Sequence, residues 1–336
     1  MLNSVAVLGA GTWGMALARM LCNEGKSVTV WSALPQELEQ LKRERRHPKL
    51  PGMVLPEGLA YTPDLGEACR GKDVLLFAVP SVYVRGTAKA AAPYVTENQI
   101  IVDVAKGMDA QTLQTMTEVI ADEIPVSADR LVALSGPTHA EEVARDLPTT
   151  IVSSCVDAET AKEIQTFFSS SFMRVYTNED VKGTEICGAL KNIMALAAGI
   201  SDGLGYGDNA KAAIITRGLA EMTRLGSRMG CAPQTFSGLT GMGDLIVTCT
   251  SHHSRNNQCG RLIGQGMSVS DAVCQVGMVV EGINALPAAV KLAEVYQVEM
   301  PIVEVIDKIV TEGKDAKSVV GSLLTRELKA ENWMIS

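Results

Sequence analysis

Apolar residues fall in two textures along this chain. Up to about residue 180, short runs of β-branched and aliphatic residues alternate with helical patterns. Ser4 to Leu8, Ser27 to Trp31, Val74 to Val79, Ile100 to Val104 and Arg130 to Leu134 read as strands, and Trp13 to Asn23 as a helix. The strand runs are apolar at consecutive positions, so both faces of each strand are buried, as in a parallel sheet covered by helices. This predicts a doubly wound α/β domain, to which Thr149 to Cys155 adds a further strand. From Val181 the texture changes to long Ala-, Leu-, Ile- and Met-rich stretches with helical periodicity: Val181 to Gly203, Ala210 to Gly230, Val269 to Val276, Asn284 to Tyr296 and Pro301 to Thr311. The predicted organisation is an α/β domain over 1–180 and an all-helical domain over 181–336. No Pro- or Ser-rich linker, internal repeat or low-complexity segment marks the boundary.

A length of 336 residues agrees with two domains, each large enough to bury a core. Gly, Pro or charge cuts every apolar run short of the ~20 residues of a membrane span, so no stable membrane insertion is expected. The net charge of −8 argues against nucleic acid or an anionic lipid surface as partner. The one basic cluster, Lys42 to Lys49, holds Arg43, Arg45 and Arg46, and reads either as a solvated helix end or as a holder for an anionic group of a cofactor. Eight cysteines are scattered without a CxxC pair, which fits reduced thiols and neither a zinc site nor a disulfide framework. The N-terminus has no basic region ahead of its apolar run, so a cytoplasmic location is expected.

The segment GAGTWG, with Gly9, Gly11 and Gly14, stands between the first strand and the first helix, the context that a GxGxxG dinucleotide fingerprint requires. Gly9 permits the tight turn, Gly11 admits a pyrophosphate to the backbone and Gly14 lets the helix lie on the strand, leaving the anion at a helix N-terminus beside the amides of Thr12 and Trp13. This predicts a Rossmann-type domain and a nicotinamide-dependent dehydrogenase. At the end of the second strand, where an acid would hold the ribose hydroxyls of NAD, the chain reads Val30, Trp31, Ser32, Ala33. The missing acid admits NADPH, but no Arg is adjacent, so the choice between NADPH and NADH stays open.

Reduction of a ketone needs an acid for the developing alkoxide. His139, in SGPTHAEE, is one candidate; Lys191 is a better one. It is the one charge in ICGALKNIMALAAGIS, where burial would strip its hydration and bring its ammonium toward neutral titration. A lysine in such a helix can also carry its amine out to solvent. Lys106 follows the strand ending at Val104, at the sheet edge where ligands bind, and Ser135, Gly136, Pro137 and Thr138 follow the next strand at the same edge. The stretch GLTGMGDLIVTCTSHHSRNN offers Asp244 to charge-balance a lysine, and Arg255 with Asn256 and Asn257 to hold a phosphate, although this is also the composition of an ordinary loop.

Taken together, GAGTWG, the AKG around Lys106, SGPTHAEE, the LKN around Lys191, NAKAAIITRGLAEM, GMGDLIVTCTSHHSRN and VVEG with Glu281 resemble, in order and over nearly the whole chain, the NAD(P)-dependent glycerol-3-phosphate dehydrogenases of the bacterial biosynthetic type. The resemblance implies reversible reduction of dihydroxyacetone phosphate to sn-glycerol 3-phosphate for glycerophospholipid synthesis, with NADPH or NADH and no metal. On that pattern Lys191 is the general acid and base, Lys106 lies beside the substrate oxygens and Asp244 supports both. Ser254, Arg255, Asn256, Gly136 and Thr138 lie at the substrate, with Thr248 one helical turn beyond Asp244. Gly9, Gly11, Thr12, Trp13, Gly14, Ala140, Val279 and Glu281 are the implied cofactor contacts, and Lys106 and Arg255 are shared between cofactor and substrate. Many members carry a basic residue where this chain has Ser32 and Ala33. The competing readings are a β-hydroxyacid or 6-phosphogluconate type dehydrogenase and a non-catalytic dinucleotide sensor. A homodimer is the assembly that an apolar helical domain allows.

Overall fold

A computed structural model describes residues 2–325, 327, 328, 330 and 331. They form two compact units, one of Met1–Ala105 with Met116–Val181 and one of Lys106–Thr115 with Lys182–Ser336. The short segment carrying Lys106 thus belongs with the helical unit, although it lies inside the α/β half of the sequence.

The first unit is built on β1 (Ser4–Leu8), β2 (Ser27–Trp31), β3 (Ala60–Thr62), β4 (Val74–Phe77), β5 (Ile100–Asp103), β6 (Leu131–Ser135), β7 (Thr149–Ser154) and β8 (Met173–Asn178). They pair in the order β3-β2-β1-β4-β5-β6-β7-β8, parallel throughout except for β6 against β7. Consecutive apolar residues reach opposite faces, as period-2 geometry requires. Val5, Val7, Val74 and Leu76 enter one buried cluster with Met15, Leu17 and Leu21 of the helix Thr12–Asn23, while Ala6, Leu8, Leu75 and Phe77 enter another with Val84 and Ala88 of the helix Ser81–Ala91. The strand order reverses direction between β1 and β4, so the C-terminal ends of those two strands flank the switch point where doubly wound sheets take their ligands.

Where they differ from the sequence reading, observed ends in this unit do so by one or two residues. β4 stops at Phe77 ahead of Pro80, β6 runs Leu131–Ser135, and the first helix starts at Thr12, with Gly11 as its N-cap. Two strands escaped the reading. β3 has three residues, and β8 alternates buried Met173 and Val175 with exposed Arg174 and Tyr176, so it shows no continuous apolar run.

The described elements of the second unit are helical. Its centre is the 23-residue helix Val181–Gly203, in which every residue from Gly183 to Ser201 is buried. A helix apolar on all sides must be surrounded. Asp208–Arg228, Asp244–Thr250, Arg255–Gly264, Glu281–Val295 and Pro301–Val310 contribute to the same core. The central helix meets Arg255–Gly264 through interlocked glycines: a Cβ on Gly199 or Gly203 would stand 2.1 or 2.2 Å from a carbonyl of the other helix, and one on Gly260 or Gly264 2.1 or 2.3 Å from a carbonyl of the central helix. Nothing larger than hydrogen fits at these four positions.

Candidate active site

In the helical unit three charged residues from distant parts of the chain share one buried spot. Asp244, at the start of the helix Asp244–Thr250, accepts from Lys191 Nζ at 2.7 Å through Oδ1 and from Lys106 Nζ at 2.6 Å through Oδ2. Lys191 Nζ also donates to Thr248 Oγ1 at 2.7 Å. The side chains of Asp244 and Lys191 are 0% and 6% exposed and that of Lys106 is 16%, so Lys106 is the member of the group open to solvent. Burial strips hydration from the Lys191 ammonium, and the nearby Lys106 charge opposes it further. Although Asp244 pulls the other way, the ammonium is drawn down to about 8. Burial pushes the Asp244 carboxyl upward, but the two ammonium groups outweigh it and hold the carboxylate below its ordinary range. Lys191 does not carry its amine to solvent: its counter-charge comes from 53 residues further along the chain.

A pair of asparagines braces this group. Asn192 Nδ2 donates to the carbonyls of Lys106 (2.9 Å) and Gly188 (3.1 Å), while its Oδ1 accepts from Asn256 Nδ2 at 2.9 Å. Asn256 Oδ1 in turn accepts from the Gly282 amide at 2.9 Å. Ser254 caps the helix Arg255–Gly264 by accepting from the Asn257 amide at 3.2 Å, which leaves Arg255 exposed at its first position. A guanidinium at a helix N-terminus is an anion-binding arrangement. Val279 and Glu281, both partly buried, bracket the start of the helix Glu281–Val295.

In the sheet unit, Gly9 holds φ +123°, and a Cβ there would lie 2.7 Å from the Ala78 carbonyl just past β4. One on Gly14 would lie 2.4 Å from the Gly9 carbonyl, so the helix Thr12–Asn23 packs onto the turn only because that position is glycine. At Gly11 a Cβ would meet nothing within 4 Å. The loop is therefore tight on its sheet side and open on the other, with the orphan amides of Thr12, Trp13 and Gly14 at the helix start. These residues fit a dinucleotide pyrophosphate. Beneath the loop, the buried His47 ring bonds the backbone of Ala10 and accepts from the Lys49 amide through Nδ1 at 3.1 Å. Past β6, Thr138 Oγ1 donates to the Gly136 carbonyl at 3.1 Å, and Ala140 opens the short helix Ala140–Val143 directly after His139.

Family models for the N-terminus and the C-terminus of NAD-dependent glycerol-3-phosphate dehydrogenase match residues 4–161 and 180–321. The chain belongs to this dehydrogenase family. A glycerol-3-phosphate dehydrogenase [NAD(P)+] 2 of Lactobacillus delbrueckii subsp. bulgaricus is 60% identical over 331 residues, covering 97% of this chain and 98% of its own. A glycerol-3-phosphate dehydrogenase [NAD(P)+] of Agathobacter rectalis is 50% identical over 332 residues, with 98% of each chain covered. The crystal structure of glycerol-3-phosphate dehydrogenase from Coxiella burnetii superposes with a TM-score of 0.92 at 35% identity, covering 97% of this chain and 99% of that one. The protein is accordingly an NAD(P)-dependent oxidoreductase of the glycerol-3-phosphate dehydrogenase family.

Of the residues singled out in the sequence of this dehydrogenase, Lys106, Lys191, Asp244 and Thr248 touch one another, and Asn256 joins them through Asn192. Gly9, Gly11, Thr12, Trp13 and Gly14 form the turn after β1, while Gly136, Thr138 and Ala140 lie past β6. Asn192 and His47 were not singled out as site residues. Asn192 left a faint signal, as a second polar residue directly beside Lys191 in an apolar helix. His47 left none, because a histidine in a basic, Pro-flanked stretch looks like surface.

Proposed function

We propose that this dehydrogenase reduces dihydroxyacetone phosphate reversibly to sn-glycerol 3-phosphate, supplying the backbone of glycerophospholipids. The observation that carries the reading is the buried Lys191–Asp244–Lys106 group, in a chain 60% identical to a protein named glycerol-3-phosphate dehydrogenase [NAD(P)+] 2. A bound nicotinamide dinucleotide supplies the hydride. Lys191, with its ammonium drawn down to about 8, gives a proton to the carbonyl oxygen as it becomes a hydroxyl, and as the neutral amine takes one back in the reverse direction. Lys106 adds a second positive charge for the developing oxyanion, and Asp244 fixes both amines. Arg255 and Asn256 hold the substrate phosphate, and Gly136, Thr138, Ser254 and Thr248 complete the substrate residues on the family pattern. The glycine loop with Ala140, Val279 and Glu281 holds the cofactor.

The deciding experiment follows absorbance loss of NADH and of NADPH with dihydroxyacetone phosphate. The parent is expected to turn over, and Lys191→Ala to lose about 10²–10⁴-fold while binding cofactor normally. Cofactor binding without oxidation by the parent would reject this substrate. A cytoplasmic location and a homodimeric assembly belong to the same proposal. The first is supported by eight unbridged cysteines and is checked by fractionation, the second by sedimentation. Among the described residues, no helix is long and apolar enough to cross a membrane.

A further inference from the structure

Dinucleotide-binding sheets that select NAD place an acid just after the second strand, against the ribose hydroxyls. Here that position is Ser32, and its side chain is fully engaged. The hydroxyl donates to Glu37 Oε2 at 2.8 Å and accepts from the Leu34 amide at 3.2 Å. Ser32 is 6% exposed, whereas Glu37, in the first turn of the helix Pro35–Glu44, is half-buried and reaches solvent. The fold thus returns a carboxylate to the end of β2 from five residues downstream. Ala33 places no cation beside it. Two arginines of the Lys42–Lys49 cluster are turned to other acids: Arg43 pairs with Glu44 at 2.8 Å, and Arg45 with Glu57 at 2.6 Å and the Leu55 carbonyl at 3.1 Å. The Trp31 indole that precedes Ser32 is fixed to the Pro63 carbonyl at 3.1 Å, which steadies the strand end.

The geometry points to Glu37, positioned by Ser32, as the group that selects the cofactor, so that this chain binds NADH in preference to NADPH. This rests on the dehydrogenase reading above. A carboxylate accepts a hydrogen bond from the ribose 2′-hydroxyl of NADH but repels a 2′-phosphate carrying close to two negative charges. No cation directly after Ser32 offsets the repulsion, since the next residue is Ala33. Glu37 is the contact residue and Ser32 the positioning residue.

The test is direct binding of NADH and NADPH to the whole protein, by calorimetry or quenching of tryptophan fluorescence, alongside steady-state kinetics. The parent is expected to bind NADH at least about tenfold more tightly at low ionic strength, with the ratio shrinking as salt screens the repulsion. Glu37→Gln is expected to bring the two dissociation constants within about threefold, chiefly by tightening NADPH. Ser32→Ala is expected to move the ratio the same way by a smaller factor, and a thermal melt shows that both variants are folded. Equal affinities in the parent, or an unchanged ratio in folded Glu37→Gln, overturn this inference and leave the dehydrogenase reading standing. Failure of both dinucleotides to bind the parent overturns the two together.

Discussion

Lys191 keeps a usable proton because two opposed effects meet at one amine: burial drives the charge off while Asp244 holds it on. The sign of the pH dependence follows. On the role proposed for Lys191, reduction uses the ammonium, so its rate is expected to fall as pH rises through about 8, while oxidation of sn-glycerol 3-phosphate, which uses the free amine, rises through the same point. Initial rates in both directions across pH 6.5 to 9.5 check this, and parallel limbs would exclude Lys191 as the proton carrier. Asp244→Asn leaves two amines without their shared counter-charge, and removal of one partner from a buried pair costs about 3–5 kcal/mol. A lowered urea midpoint and an acid shift of the reduction profile are the expected readouts. At this scale the buried lysine was legible, since a lone lysine in an apolar helix is conspicuous. The partner of Lys191 was weakly legible, because Asp244 meets it across 53 residues of sequence and only the fold brings them together.

Helix packing in the second unit depends on absent side chains as much as on present ones. The crossing of Val181–Gly203 with Arg255–Gly264 brings the backbone bearing Asn256 to the backbone bearing Asn192, so the brace between those amides depends on the four glycines. Gly260→Ala would place a Cβ 2.1 Å from the Leu196 carbonyl, and such overpacking is expected to destabilise by about 1–3 kcal/mol and to lower kcat without a matching change in cofactor affinity. Another element-scale device joins Asp208–Arg228 to Pro301–Val310. The buried Glu221 carboxyl accepts from the Ile302 amide at 2.9 and 3.1 Å, and burial raises it to about 8 despite those bonds and Arg224. Because this folded-state value lies above the unfolded one, its contribution is full below about pH 4.3 and is lost as pH rises through about 8. Glu221→Gln is expected to flatten that part of the stability-against-pH curve in denaturant titrations; an unchanged slope would exclude the site. Strands apolar on both faces could be read from sequence, whereas β8, polar at alternate positions, and β3, three residues long, could not.

For the molecule as a whole, binding energy from the phosphate end of the substrate is expected to serve the reacting carbon. Dihydroxyacetone itself should therefore show a much lower kcat/KM than its phosphate, and comparable values would remove Arg255 and Asn256 from the role given them. The α/β and helical halves were legible because continuous apolar runs and helical periodicity are strong signals over long stretches. The allegiance of Lys106–Thr115 was not, since ten residues between a strand and a helix of the other unit carry no mark of where they pack. That short excursion also bears on how such a gene can change. The chain crosses between its units after Ala105, after Thr115 and after Val181, so one recombination near codon 181 would join a helical body from one parent to an amine-bearing ten-residue insert from the other. Halves can be exchanged intact only if three junctions move together, which couples the inheritance of the sheet half to that of the helical half.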